Sequence, residues 1–112
     1  MSPITTHILD TAIGKPAAGI NIDLFIQNDN EWEKVGSGTT DNDGRVKDLM
    51  SVGELKAGTY KIKFYVGSYF AKSGTSGFYN EIPIEFCIKE TSSHYHVPLL
   101  LNPFGYSTYR GS

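Results

Sequence analysis

The segment Ile20-Asn21-Ile22-Asp23-Leu24-Phe25-Ile26-Gln27 decides the fold class of this chain. Its aliphatic residues occupy every second position, and successive side chains of a β-strand point to opposite faces of a sheet. The pattern therefore predicts a strand that has one face in a hydrophobic core. Segments 60–66 and 82–88 repeat the same two-residue period, which indicates more strands of this kind.

Turn-forming residues separate these segments at fairly even spacing. The clearest turns are Gly14-Lys15-Pro16, Asn28-Asp29-Asn30, Asp41-Asn42-Asp43-Gly44 and Lys56-Ala57-Gly58. Because no long helical period occurs between them, the sequence predicts an all-β, antiparallel β-sandwich.

The pattern predicts about eight strands and one short helix. The strands are expected at about 4–10, 20–27, 32–38, 44–48, 59–66, 81–89, 94–101 and 104–110. The helix is expected at residues 67–73, with Ser68 as its N-cap, because a serine oxygen can accept a hydrogen bond from an unpaired N–H of the first turn.

The composition limits the classes of function. A length of 112 residues predicts one domain, residues 1–112. The net charge is -2 and the basic residues are scattered, so a nucleic acid is not an expected partner. The apolar runs are too short to span a membrane, so no membrane partner is expected either. Cys87 is the single cysteine, which together with an N-terminus lacking a secretory pattern predicts a cytoplasmic protein.

Two of the three histidines lie in one strand-like segment, residues 94–101. His94 and His96 share one face of this strand, and the more apolar alternate positions share the other face. We expect the apolar face to lie in the core and both histidines to point outward. His7 also lies on the opposite face from Ile8, so it should point outward as well. An outward face that is partly apolar favours cover by a second subunit.

Several motifs of the chain resemble those of the 5-hydroxyisourate hydrolases, the transthyretin-related enzymes of urate breakdown. The matching segments are His7-Ile8-Leu9-Asp10, Gly44-Arg45, Tyr95-His96-Val97-Pro98-Leu99-Leu100 and the C-terminal Tyr109-Arg110-Gly111-Ser112. The last motif is the most specific of them. The resemblance runs from residue 7 to residue 112 and implies a single transthyretin-like hydrolase domain with eight strands in two sheets.

The resemblance implies hydrolysis of the cyclic amide of 5-hydroxyisourate to 2-oxo-4-hydroxy-4-carboxy-5-ureidoimidazoline. It implies that His7 and His96 activate water and shuttle protons, and it leaves open which histidine has which role. Arg45 and His7 would bind substrate, and Arg45 would also stabilise charge. Tyr109 would contact the substrate ring, and Ser112 would hydrogen-bond at the floor of the pocket as part of the catalytic set.

These residue types suit the chemistry of water attack on an amide. An imidazole, with an ordinary pKa of about 6.5, can act as a base near neutral pH. A guanidinium can stabilise the developing oxyanion and grip an oxygen-rich planar ring through paired hydrogen bonds. The reaction drawn in this way uses no cofactor. The resemblance also implies a homotetramer, a dimer of dimers, with active sites at the dimer–dimer interface.

Two other functions stay open at this point. A transthyretin-like carrier of a small aromatic ligand, such as a thyroid hormone, could use the same fold, although it would need no general base. A zinc hydrolase could use His94, His96 and His7 as three nitrogen ligands. No cysteine or carboxylate is tied to those histidines by spacing, so we expect no metal. The role of His94 is left open, and Cys87 is expected to be structural.

Overall fold

The computed structural model describes residues 2–112, which form two four-stranded sheets packed face to face and one short helix. The strands are β1 Ile4–Asp10, β2 Lys15–Pro16, β3 Asn21–Asn28, β4 Glu31–Thr39, β5 Gly58–Phe64, β6 Ile82–Ile88, β7 Tyr95–Asn102 and β8 Gly105–Thr108. The helix α1, Val66–Lys72, connects β5 to β6. The predicted sandwich of about eight strands with one short helix is confirmed.

The first sheet has the strand order β2-β1-β7-β8, and the second has the order β4-β3-β5-β6. Five of the six pairings are antiparallel, but β1 and β7 run parallel. In this parallel pair Thr5 lies beside His96, and His7 lies beside Pro98. The alternation of side chains does not report strand direction, which is why the sequence predicted only antiparallel pairing.

Residues 44–48 do not form the strand that the sequence predicted. Arg45 makes one isolated antiparallel bridge to His7, and no longer ladder follows. Gly44 and Asp48 have φ angles of 74° and 57°, so left-handed backbone at both ends of this segment prevents an extended run. The remaining strand of the eight is the short β2, which pairs with the end of β1.

Ser68 is not the N-cap of α1. The helix begins at Val66 after Tyr65, and no side chain caps it. Ser68 instead lies inside the first turn, where its hydroxyl donates to the Tyr65 carbonyl oxygen at 3.3 Å. The earlier start has a packing reason, because Val66 and Phe70 lie one helical turn apart and are both buried in the core. Within residues 2–112 the structure has no helix with the length and apolar character needed to cross a membrane.

A hydrophobic core fills the space between the two sheets. The inward positions that alternation predicted on β3, β5 and β7 are all buried: Ile22, Leu24, Ile26, Tyr60, Ile62, Phe64, Tyr95, Val97, Leu99 and Leu101. Each such side chain contributes about 1.5–3 kcal/mol when fully buried. On β6, Ile84 and Phe86 are only half-buried because this strand is at the edge of its sheet.

A buried carboxylate fixes the turn that follows β1. Asp10 is 5% exposed and accepts hydrogen bonds from the Tyr69 hydroxyl at 2.7 Å and from the Ala12 N–H at 3.0 Å. Burial, and then the bond to Asp10, raise the pKa of Tyr69 to about 12. Asp10 therefore has a structural role: it ties β1 to the helix.

We expect Tyr69→Phe to lower the free energy of unfolding by about 1–3 kcal/mol, because it leaves a buried carboxylate oxygen of Asp10 unpaired. Tyr65→Phe is the matched control, since the Tyr65 hydroxyl also donates a 2.7 Å bond, to Asp23. Asp23 is more exposed and keeps an ion pair with Lys34 at 3.5 Å, so this loss should be smaller. Urea unfolding of both variants measures the two losses in the free energy of unfolding. A loss in Tyr65→Phe that equals or exceeds the loss in Tyr69→Phe would contradict the role of Asp10.

Candidate active site

The outer face of the first sheet carries an open cavity of about 700 Å³. Thr5 of β1 and His96 of β7 lie side by side in its wall because they are register partners on neighbouring strands. Arg45, His94 and Ser112 also line it. The cavity therefore collects side chains from both ends of the chain and from the turn at residues 41–45.

A tight turn places Arg45 against β1. The Asp41 carboxylate accepts hydrogen bonds from the N–H groups of Asp43 at 2.9 Å and Arg45 at 3.1 Å, and the Arg45 bond holds the pKa of Asp41 below its usual value. The Gly44 carbonyl oxygen accepts the Ile8 N–H at 2.8 Å. A Cβ at Gly44 would collide with the Ile8 carbonyl oxygen, and its φ is positive, so only glycine fits there.

The segment after β8 forms another wall of the cavity. The Gly111 N–H donates to the His96 carbonyl oxygen at 2.8 Å, which continues the β7–β8 pairing by one bridge. A Cβ at Gly111 would lie only 2.6 Å from Cδ2 of the His96 ring. The missing side chain thus lets the imidazole lie against the backbone, and Ser112 follows directly into the cavity.

One threonine hydroxyl connects two of the histidines. Oγ1 of Thr5 lies 2.8 Å from Nδ1 of His96 and 3.1 Å from Nε2 of His94. This contact leaves Nε2 of His96 as the ring nitrogen available to a ligand in the cavity. The two contacts also use one ring nitrogen on two of the three imidazoles that the zinc alternative would need. Among residues 2–112, no group of three or more His, Cys, Asp or Glu side chains could hold a metal ion.

The environment of His96 favours its neutral form. Burial lowers the pKa of this imidazole, and the positive charge of Arg45 adds to the effect, followed by His7 and His94. A neutral imidazole near pH 7 has a lone pair that can accept a proton. The site therefore holds a candidate base whose pKa responds to the nearby guanidinium of Arg45.

His7 lies next to the cavity on β1. It shares the outer face of this strand with Thr5, it is half-buried, and its backbone is bridged to Arg45. Its charge is close enough to lower the pKa of His96. The structure thus places three predicted residues, Arg45, His96 and Ser112, in the wall of one cavity, with His7 beside it on β1.

Tyr109 does not line this cavity. Its side chain is 58% exposed and lines a second, smaller cavity at the open edge between the sheets, beside Ile84 and Phe86 of β6. The neighbouring Arg110 stacks its guanidinium over the Tyr95 ring, 4.6 Å from the ring centroid. Within one chain, the predicted grouping of Tyr109 with the histidines therefore does not occur.

Sequence reasoning missed Thr5 and left His94 open. The signal for Thr5 was available in part, because it precedes His7 by two positions and must share its face of the strand. The contacts of Thr5 with His94 and His96 depend on the parallel register of β1 and β7, and no local sequence pattern reports that register.

Comparison with known proteins places the chain in a family. The model of the HIUase/Transthyretin family matches residues 4–111. The chain belongs to this family. It is 47% identical to the 5-hydroxyisourate hydrolase of Salmonella typhimurium over 109 residues, which cover 97% of this chain and 80% of that protein.

Solved structures confirm the transthyretin-like fold. The 5-hydroxyisourate hydrolase of Klebsiella pneumoniae superposes with a TM-score of 0.84 at 35% identity, covering 97% of this chain and 98% of that one. Sea bream transthyretin in complex with thyroxine superposes with a TM-score of 0.92 at 29% identity, covering 97% and 94%. Since both a hydrolase and a hormone complex share the fold, only the residues in the site can separate the two functions.

We expect the imidazole of His96 to titrate below its usual pKa of 6.5, measured by NMR of the ring protons. The folded pKa is the lower one, so the unfolded chain takes up this proton first as the pH falls, and His96 weakens folding below about pH 6.5. Arg45→Gln should raise the pKa by removing a nearby positive charge. The pKa should still stay below 6.5, because burial is the largest cause.

The exposed Lys72 at the end of α1 provides a control, since Lys72→Gln removes a positive charge that neither lines the cavity nor acts on His96. That variant should leave the titration of His96 unchanged. A His96 pKa above 6.5, or an equal response to both charge removals, would contradict the electrostatic account of the site.

Proposed function

We propose that this chain hydrolyses 5-hydroxyisourate at its cyclic amide, opening the six-membered ring to 2-oxo-4-hydroxy-4-carboxy-5-ureidoimidazoline. One observation carries the proposal: a cavity lined by His96, Arg45 and Ser112, in a chain 47% identical to a 5-hydroxyisourate hydrolase. His96 supplies a base and Arg45 a cation, the two groups that water attack on an amide needs, and Ser112 adds a hydroxyl that can hydrogen-bond to the substrate.

His96 is the general base of the proposed reaction. Its lowered pKa keeps the ring neutral near pH 7, and Thr5 occupies Nδ1, so Nε2 takes the proton from the attacking water. A positioned base of this kind typically contributes about 10²–10⁴ in rate. The water adds to the amide carbonyl carbon, the carbonyl oxygen takes the negative charge, and the C–N bond of the ring then breaks as the nitrogen is protonated.

Arg45 binds the substrate and stabilises the oxyanion. Its guanidinium can donate two parallel hydrogen bonds to neighbouring oxygens of a planar ring. Asp41 and Gly44 hold its backbone against β1, and its side chain lines the cavity. A cation close to the developing oxyanion stabilises the transition state.

His7 and Ser112 complete the proposed site. His7 lies on the face of β1 that carries Thr5, where it contacts the substrate and shuttles protons. The Ser112 hydroxyl hydrogen-bonds to the substrate at the floor of the cavity. The substrate contact of Tyr109 stays a prediction from the resemblance, because this residue lies at the other cavity.

The alternative is a small-ligand carrier, and the thyroxine complex of sea bream transthyretin is the observation that favours it. The cavity of this chain has a charged wall formed by Asp41, Asp43, Arg45, Lys47 and Asp48. Such a wall suits a small polar ring better than a hydrophobic hormone. A carrier also gains nothing from an imidazole whose pKa favours proton acceptance.

We also propose a homotetramer, a dimer of dimers, with paired active sites between the dimers. The cavity lies open on the outer face of the first sheet, so a neighbouring subunit would close it and exclude water. We further propose that the assembly works in the cytoplasm, where the exposed thiol of Cys87 would stay reduced.

Following the ultraviolet absorbance of freshly generated 5-hydroxyisourate tests the proposed reaction. The wild type should accelerate its loss above the spontaneous rate, and His96→Ala should reduce kcat by about 10²–10⁴ while circular dichroism stays unchanged. Lys72→Ala, an exposed change on α1, should keep the wild-type rate. Wild-type turnover in His96→Ala would refute its role as base, and an inactive wild type that binds thyroxine would favour the carrier.

Analytical ultracentrifugation tests the assembly. We expect a particle of four times the chain mass of 12.3 kDa. Because the neighbouring subunit completes each site, the specific activity should fall as the tetramer is diluted below its dissociation constant. A monomer with full activity at all concentrations would contradict the proposed assembly.

A further inference from the structure

The Thr5 hydroxyl contacts two imidazoles, and the proposed mechanism uses its contact with His96 but not its contact with His94. We propose that Thr5 and His94 are positioning residues that act through His96: the Thr5 hydroxyl keeps a proton on Nδ1 of His96 and relays that proton to Nε2 of His94 during the reaction. This inference rests on the proposed function, since it assigns a task to two neighbours of the proposed base.

The geometry fixes the hydroxyl firmly. Thr5 and His96 are register partners in the parallel β1–β7 pair, so two backbones set the distance between Oγ1 and Nδ1, which is 2.8 Å. Threonine is branched at Cβ, which restricts its χ1 rotamers. His94 immediately precedes β7 on the same side, and its Nε2 lies 3.1 Å from the same oxygen.

Counting protons selects one arrangement of these bonds. A threonine hydroxyl has one proton to donate, so it can donate to only one of the two rings. If it donated to Nδ1 of His96, the ring proton would sit on Nε2, and that nitrogen could not accept a proton from water. The catalytic arrangement therefore consists of two consecutive hydrogen bonds. His96 Nδ1–H donates to Thr5 Oγ1, and Thr5 Oγ1–H donates to His94 Nε2.

The relay balances in protons. Water gives one proton to Nε2 of His96, Nδ1 gives its proton to the Thr5 oxygen, and the Thr5 hydroxyl proton moves to Nε2 of His94. His96 and Thr5 end with the number of protons they began with, and His94 becomes an imidazolium. When His96 Nε2–H then protonates the departing amide nitrogen, the relay runs backwards and returns the proton from His94 to Nδ1.

Charge and exposure favour this movement. An imidazolium at His96 would be half-buried beside the Arg45 guanidinium, which is an unfavourable place for a positive charge. In the single chain His94 is more exposed than His96, so a positive charge there loses less of its hydration. The groups whose charge acts on His96 are Arg45, His7 and His94, and the other charged groups that line the cavity are Asp41, Asp43, Lys47 and Asp48.

Thr5→Val and Thr5→Ser separate the relay from simple packing. Valine keeps the branched shape of threonine but removes the hydroxyl, and serine keeps the hydroxyl. With 5-hydroxyisourate as substrate, we expect Thr5→Val to lower kcat by about 10–100-fold with little change in KM, the range seen for partners that orient metal-bound histidines. Thr5→Ser should recover most of that loss.

His94→Gln tests the last member of the proposed proton relay. Glutamine can accept a hydrogen bond from Thr5, but it cannot take up the relayed proton. We expect it to lower kcat and to flatten the dependence of kcat on pH, while KM stays near the wild-type value. Because His94 is exposed, this variant should fold, which keeps the inference testable if Thr5→Val does not.

The ¹⁵N chemical shifts of the His96 ring give a readout that needs no substrate. The wild type and Thr5→Ser should carry the neutral-ring proton on Nδ1, and Thr5→Val should move it towards Nε2. Thr6→Val is the matched control: Thr6 is the adjacent threonine of β1, and its hydroxyl also bonds across to β7, at the Val97 carbonyl oxygen. That change should lower stability and leave the His96 tautomer unchanged.

The inference would be overturned if Thr5→Val kept the wild-type His96 tautomer and kcat. It would also be overturned if folded Thr5→Ser lost as much kcat as Thr5→Val. A His94→Gln enzyme with the wild-type kcat and pH profile would overturn it as well. An inactive wild type would instead overturn the proposed function. In that case the ring tautomer would still decide whether Thr5 sets the protonation of His96, so the two failures are distinguishable.

Discussion

The parallel pairing of β1 with β7 is the constraint on which the rest of the site depends. It joins strands from opposite ends of the chain, and Thr5 and His96, 91 positions apart, become neighbours in register. The pair occupies the centre of the sheet, with β2 and β8 on either side. Near the site, isolated bridges from His7 to Arg45 and from His96 to Gly111 extend the pairing, so the outward side chains are held more rigidly than residues on a loop would be.

Two close backbone approaches complete the cavity around this pair. Gly44 brings the turn at residues 41–45 against β1, and Gly111 brings the end of the chain against the His96 ring. A Cβ would meet the Ile8 carbonyl oxygen at the first position and the His96 ring at the second, so the absence of a side chain permits both approaches. These glycines position Arg45 and Ser112 without contributing any chemistry themselves.

The same scaffold occurs in the thyroxine complex of sea bream transthyretin and in the hydrolase of Klebsiella pneumoniae. The fold therefore provides a face on which different side chains can be placed, and chemistry depends on those side chains. In this chain the face carries a guanidinium, three imidazoles and a hydroxyl that connects two of them. The proposed catalysis is a property of this cluster, and the core beneath it contributes rigidity.

The sequence by itself determined the core and most of the strands, because a two-residue period is local and reads directly as two faces of a sheet. Through the family motifs it also predicted His7, Arg45, His96 and Ser112 as site residues, and the last three line one cavity. The tertiary structure alone decided the parallel register that adds Thr5 and His94, the second cavity at which Tyr109 lies, and the bent backbone at 44–48. These features depend on contacts between distant segments and on left-handed φ angles, neither of which has a period that the sequence could display.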